Sequence, residues 1–119
     1  MELEDNIKKD FANLMGKHKL SLSSLTPNSV RLENSFCIIN LQLERGVEFY
    51  VTFVDKKTKR EYPLMNLVFF KGLQDRKRIT ASSLFELHAK EIELYFSDLL
   101  LGDFTWSDEY DKYMNRYTL

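Results

Sequence analysis

The sequence predicts an α+β fold: a small antiparallel sheet of three or four strands packed against an N-terminal helix and C-terminal helices, all in a single domain over residues 1–119. Three observations carry this. Leu3, Ile7, Phe11, Leu14 and Met15 recur at helical spacing. From Val30 to Val54 apolar residues alternate with polar ones, the period of strands. Phe85, Ala89, Ile92, Phe96 and Leu99 then return to a helical stripe.

In the first helix Glu4, Asp5, Lys8, Lys9 and Asp10 fill the face opposite the apolar stripe. Gly16 is the expected stop, since glycine takes the left-handed conformation without a steric penalty. Leu20, Leu22 and Leu25 alternate with serines and give a weak extended signal. Thr26-Pro27-Asn28-Ser29 reads as a turn. Val30 and Leu32 form one short strand, and Phe36 to Leu43 a second with Ile39, Leu41 and Leu43 on one face. Arg45-Gly46 suits a tight hairpin turn. Val47 to Val54 is the clearest strand: Phe49, Val51 and Phe53 face one way, Glu48, Tyr50 and Thr52 the other. A polar turn, Asp55 to Lys59, precedes a short strand through Arg60, Glu61 and Tyr62.

Leu64 to Phe70 is either a helix opened by Pro63 or a buried strand; the spacing of Leu64, Leu67 and Val68 favours the helix. Ser83 and Glu86 have capping-box spacing, so a long helix is expected from Ser82 or Ser83 to Gly102. Asp103 is placed to cap a last helical segment with Trp106, Tyr110 and Tyr113. The first helix and the long helix are the expected covers of the sheet's apolar face.

Composition narrows the function. The chain has 119 residues, 44% apolar and 13% aromatic, enough for a core without disulfides or metals. Its one cysteine, Cys37, lies in the apolar run Phe36-Cys37-Ile38-Ile39 and reads as a buried thiol in a reducing compartment. Met1-Glu2-Leu3-Glu4-Asp5 lacks the basic and apolar start of a signal peptide, and no apolar stretch approaches the ~20 residues that cross a bilayer. A cytoplasmic protein without membrane contact is expected.

Motifs for chemistry are missing from the sequence. His18, His88 and Cys37 have no zinc-ligand spacing. Asp103, Asp108, Glu109 and Asp111 do not follow the calcium-loop pattern, with Phe104 and Trp106 among them. There is no Gly-x-Ser-x-Gly elbow, and Gly16, Gly46, Gly72 and Gly102 are scattered singly rather than gathered in a phosphate loop. The expectation is therefore no catalytic residue, no cofactor and no metal, hence not an enzyme.

Charge is segregated along the chain. Net charge is −1, yet residues 55–78 carry 8 bases and 3 acids, and residues 79–119 carry 3 bases and 8 acids. Either these regions steer partners, or they are solvated and pair with each other. Lys56, Lys57, Lys59 and Arg60, with Lys71, Arg76, Lys77 and Arg78, would serve a nucleic-acid-binding domain using loops 56–60 and 71–78. A pI near 6.1 argues against it. The C-terminal segment interleaves acids with aromatics. Candidate partner-binding residues are Glu86, Glu93, Asp98, Trp106, Asp108, Glu109, Tyr110, Asp111 and Tyr113, an acidic surface with aromatic anchors for a basic partner.

Glu44-Arg45-Gly46-Val47 and Leu100-Leu101-Gly102-Asp103-Phe104-Thr105-Trp106, with Tyr110, lie in an order of elements that resembles small bacterial immunity proteins of the polymorphic-toxin type. The resemblance spans roughly residues 30–113. It implies a non-catalytic protein-binding module that binds and neutralises a cognate bacterial toxin, and it assigns no contact residues.

Overall fold

The computed structural model describes residues 3–73 and 78–116. Six helices and five strands are present among these residues: α1 (Leu3–Asp10), α2 (Ala12–His18), β1 (Ser21–Thr26), β2 (Ser29–Glu33), β3 (Cys37–Glu44), β4 (Glu48–Asp55), β5 (Glu61–Pro63), α3 (Leu64–Phe70), α4 (Leu84–Tyr95), α5 (Ser97–Leu100) and α6 (Ser107–Asn115). The α+β fold is as the sequence predicts, with five strands rather than three or four. The added strand is β1, whose serine-rich alternation is a weak signal because its side chains are mostly exposed.

The sheet is an antiparallel meander in the order β1-β2-β3-β4-β5. Register fixes its two faces, because directly opposed residues point the same way. One row runs Leu22, Leu32, Ile39, Phe53, Tyr62 across all five strands. The last four of these are buried, and they form the core with Val30, Leu41 and Val51. The alternate row is Ser23, Arg31, Asn40, Thr52, Pro63, and none of its residues is buried. The apolar face is the one the helices cover. Leu3, Ile7 and Phe11 of the first helical segment and Ala89, Ile92 and Phe96 of the later one supply the cover, and α1 packs against both β2 and α4. Each fully buried large side chain contributes about 1.5–3 kcal/mol over its exposed state.

Turn chemistry behaves as its residues dictate. Arg45 and Gly46 have φ of 55° and 73°, and Val47 N–H closes the turn on the Glu44 carbonyl at 3.1 Å. Leu64–Phe70 is a helix, with extended Pro63 at its start. Ser83 caps α4: its hydroxyl accepts the Glu86 N–H at 3.1 Å.

Three expectations need correction. The first helix does not stop at Gly16. It continues to His18, and Lys19 takes the left-handed conformation (φ 55°) with its N–H on the Met15 carbonyl. The first helix also bends at Phe11, although the hydrogen-bond ladder runs on through it, Phe11 to Ile7 and Met15 to Phe11, both at 2.9 Å. The long helix breaks at Phe96 (φ −130°), giving α4 and α5. Leu99 N–H turns to Phe96 O, and the Tyr95 carbonyl accepts the Lys71 ammonium at 3.1 Å instead. Asp103, finally, does not cap α6. Its Oδ1 accepts from Thr105 N–H and hydroxyl, tightening the turn that precedes the helix.

Candidate protein interface

The segment from Gly102 to Asn115 is anchored by aromatic packing around Tyr62. Phe104 stacks on Tyr62 with centroids 5.8 Å apart, while Trp106 and Tyr110 meet its ring edge-on at 4.9 and 5.1 Å. Phe70 of α3 extends the cluster to Trp106, Tyr110 and Tyr113 at 5.5–5.9 Å. These are the offset and edge geometries that ring quadrupoles favour. Burial pushes the Tyr62 hydroxyl up from its ordinary value, with the neighbouring Arg60 opposing the shift.

The nine candidate residues separate under this geometry. Tyr110 is buried, and its hydroxyl accepts from Asn66 Nδ2 at 3.3 Å. Trp106 is half-buried, and its indole N–H donates to the Asp103 carbonyl at 3.0 Å. Tyr113 is half-buried against Phe70. The aromatic anchors are thus largely spent on locking the C-terminal segment to the core.

Most of the acids are spent too. Asp111 forms a two-pronged ion pair with Arg60, one arm at 2.9 Å. That guanidinium holds its carboxyl below the usual Asp range. Asp98 meets Lys71 at 3.3 Å. Glu93 pairs with Lys17 and stands 3.7 Å from His18 Nε2. Glu86 accepts from Lys90 at 2.9 Å and from Ser82 at 2.7 Å, and its carboxyl is lowered, Lys90 being the larger cause. Asp108 and Glu109 remain: both are exposed, and among the described residues neither has an ion pair or side-chain hydrogen bond. They occupy the first turn of α6, where the helix dipole also favours negative charge.

The basic side divides in the same way. Lys56 pairs with Glu33 at 2.8 Å and also reaches the Asn34 carbonyl. Arg60 and Lys71 are held by Asp111 and Asp98. Lys57, Lys59 and Arg78 are exposed and have no ion pair among the described residues. Arg76 and Lys77 lie outside the described residues. The basic and acidic regions of the sequence therefore meet within one molecule, through Arg60–Asp111 and Lys71–Asp98.

Sequence reasoning missed two residues. Glu91 is a buried carboxylate, 1% exposed, whose Oε1 lies 2.9 Å from His88 Nδ1. The three-residue spacing of His88 and Glu91 on one helix was the available signal. His88 also packs against Phe49 at 5.5 Å and is half-buried. Asn34, in the turn between β2 and β3, is the second. Its Nδ2 donates to the His18 and Leu100 carbonyls at 3.1 and 2.8 Å, and its Oδ1 accepts the N–H groups of Phe36 and Cys37 at 2.9 and 3.0 Å. One side chain thus joins α2, α5 and the sheet.

Cys37 is fully buried, and desolvation pushes its thiol up to about 12. Among the described residues no group of three His, Cys, Asp or Glu converges on a common point, and no helix is long and apolar enough to cross a membrane. Comparison with protein-family models, curated proteins and solved structures gave no match.

Proposed function

We propose that this chain is a non-catalytic protein-binding module of the immunity type, which neutralises a cognate bacterial toxin in the cytoplasm by covering a basic surface on it. The observation that supports this reading is the pair Asp108 and Glu109. They are exposed, without partners among the described residues, on a helix whose position is fixed by the packing of Trp106, Tyr110 and Tyr113 against Phe70. Two carboxylates on a rigid platform lose little entropy on meeting a cationic partner, and they raise its association rate. Glu86, Glu93, Asp98 and Asp111 take a supporting part, since their charges are already balanced by neighbours.

Co-expression with a toxin domain, sought among the products of neighbouring genes, tests this. The expected result is restored growth and a stoichiometric complex, with binding weakened about tenfold or more by Asp108→Asn with Glu109→Gln, most of it in the association rate at low salt. An unprotected culture with no complex refutes the proposal. Capture of nucleic acid alone, unaffected by the two substitutions, refutes it as well and moves the function to Lys57, Lys59 and Arg78.

A further inference from the structure

The two edges of the sheet are built differently. β5 is three residues long, ends at Pro63 and runs straight into α3, with Arg60 at its start clamped to α6 through Asp111. That edge is short, capped and covered, as edges usually are. Among the described residues β1 has no such cap or cover, and its one irregularity is a β-bulge between Ser24 and Thr26, near its end. Its six residues, Ser-Leu-Ser-Ser-Leu-Thr, contain no charge and no proline. All but Leu22 are exposed, and among the described residues the backbone bonds of the strand run to β2 alone. From Ser21 to Ser24, ahead of the bulge, the outer N–H and C=O groups of β1 form an open ladder about 13 Å long.

The ends of this edge carry opposite charge. Exposed Lys19 stands just before β1 and has no ion pair among the described residues. At the other end, the Leu3 N–H is bonded to the Pro27 carbonyl at 3.2 Å, which ties the first turn of α1, bearing Glu4 and Asp5, to the β1–β2 turn. Glu4 is neutralised by Lys8 at 2.8 Å, but exposed Asp5 has no ion pair among the described residues. Antiparallel pairing of β1 with its own copy sets the Lys19 end of one chain beside the Asp5 end of the other, twice, and brings no like charges together along the strand. A foreign strand has no such guarantee of fit, because β1 itself carries no charge with which to select it.

We infer that β1 is a self-pairing edge, to which a second copy of this chain adds antiparallel about a two-fold axis near Ser23, making one continuous sheet through both copies. The isologous symmetry needs only one surface to be self-complementary, and the main-chain ladder supplies the attraction as in other strand additions. The C-terminal acids Asp108 and Glu109 lie on α6, which joins the sheet through Arg60 at the opposite edge, so each copy keeps its own free acidic surface.

Sedimentation velocity of the full chain from about 1 to 200 µM tests the inference. The expected result is a monomer–dimer equilibrium in which the β1 amides exchange more slowly as concentration rises. Ser23→Lys places two lysines across the axis, with Arg31 next to each in the register, and raises the dimer dissociation constant about tenfold or more. Lys19→Glu and Asp5→Lys each weaken the dimer alone, and together restore it, which misfolding cannot mimic. A monomer at every concentration overturns the inference and leaves the edge to another protein's strand or to water. A dimer indifferent to Ser23→Lys overturns it equally, because its interface then lies elsewhere.

Discussion

Asn34→Ala tests whether one turn residue holds the two halves of the cover to the sheet. Four hydrogen bonds pass through this side chain: two to the carbonyls of His18 and Leu100, two from the N–H groups of Phe36 and Cys37. Each is worth about 0.5–1.5 kcal/mol net, and partial burial of the site puts them near the middle of that range. The methyl group replaces none of them, and water reaches some of the orphaned groups, so a loss of about 3 kcal/mol is expected. That is a large share of the roughly 5–15 kcal/mol that holds a domain of this kind folded. Urea unfolding followed by circular dichroism gives the value, with neighbouring Ser35→Ala, an exposed position, as the near-neutral control. The midpoint should fall while the slope stays constant. Asn34→Asp keeps the acceptor side but sets a carboxylate against two carbonyl oxygens, so it should be at least as destabilising at neutral pH and partly recover as acid protonates it. A loss below about 1 kcal/mol for Asn34→Ala refutes the reasoning, because four bonds in a half-buried site cannot be worth so little.

Gly16 and Gly102, both near helix ends, should respond oppositely to alanine, as thermal melts will show. Gly16 is inside α2 with open space where a methyl group would stand, so Gly16→Ala stabilises by about 0.5–1 kcal/mol. Gly102 has φ +86° and an added Cβ would come within 3.0 Å of the Phe36 ring, so Gly102→Ala destabilises by about 1–3 kcal/mol. The Cys37 thiol, buried and pushed up to about 12, should resist a thiol reagent at pH 8 in the folded protein and react at once in urea. Asp111→Asn should cost less than about 1 kcal/mol at pH 7, since Arg60 and Asp111 are 41% and 43% exposed. Because the folded carboxyl lies below its ordinary value of 3.8, the contribution is present above that value and disappears as pH falls through the lower folded one. Wild type and variant should therefore converge in acid, and a gap that widens there would contradict the ion pair.

What the sequence made legible is what periodicity and turn chemistry control. The strands from Val30 to Val54, the Arg45-Gly46 turn and the Ser83 cap are local consequences of residues within a few positions of one another. The breaks at Phe11 and Phe96 were not legible, because each is a core residue whose position is settled by tertiary packing. Phe96 is fully buried, 5.9 Å from Phe53, and the carbonyl freed at the kink is satisfied by Lys71, 24 residues away. Gly16 misled for a related reason. Its helix runs two residues further, to His18, whose carbonyl accepts from Asn34 Nδ2 across 16 residues of sequence. At the candidate interface, composition identified the acids and aromatics but not which of them were free, since freedom depends on partners far apart in sequence.

That last distinction changes what charge segregation means here. A run of bases followed by a run of acids reads, in one dimension, as two surfaces of opposite sign, each able to attract a partner. Folding superposes them. Arg60 reaches Asp111 across 51 residues, and Lys71 reaches Asp98 across 27. The field that steers a distant molecule is set by the charges left over, among them Asp108 and Glu109 on α6 and Lys57 and Lys59 in the β4–β5 turn. The ion pairs have a separate consequence. They fasten α6 to β5 and α5 to α3, so the free acids are held on a frame and do not move with a loose tail. Neutralising a paired acid should therefore alter how firmly the surface is held, whereas neutralising a free one should alter what it attracts. Asp111→Asn and Asp108→Asn differ by one carboxylate each, yet the first should be read out in stability and the second in the salt dependence of binding.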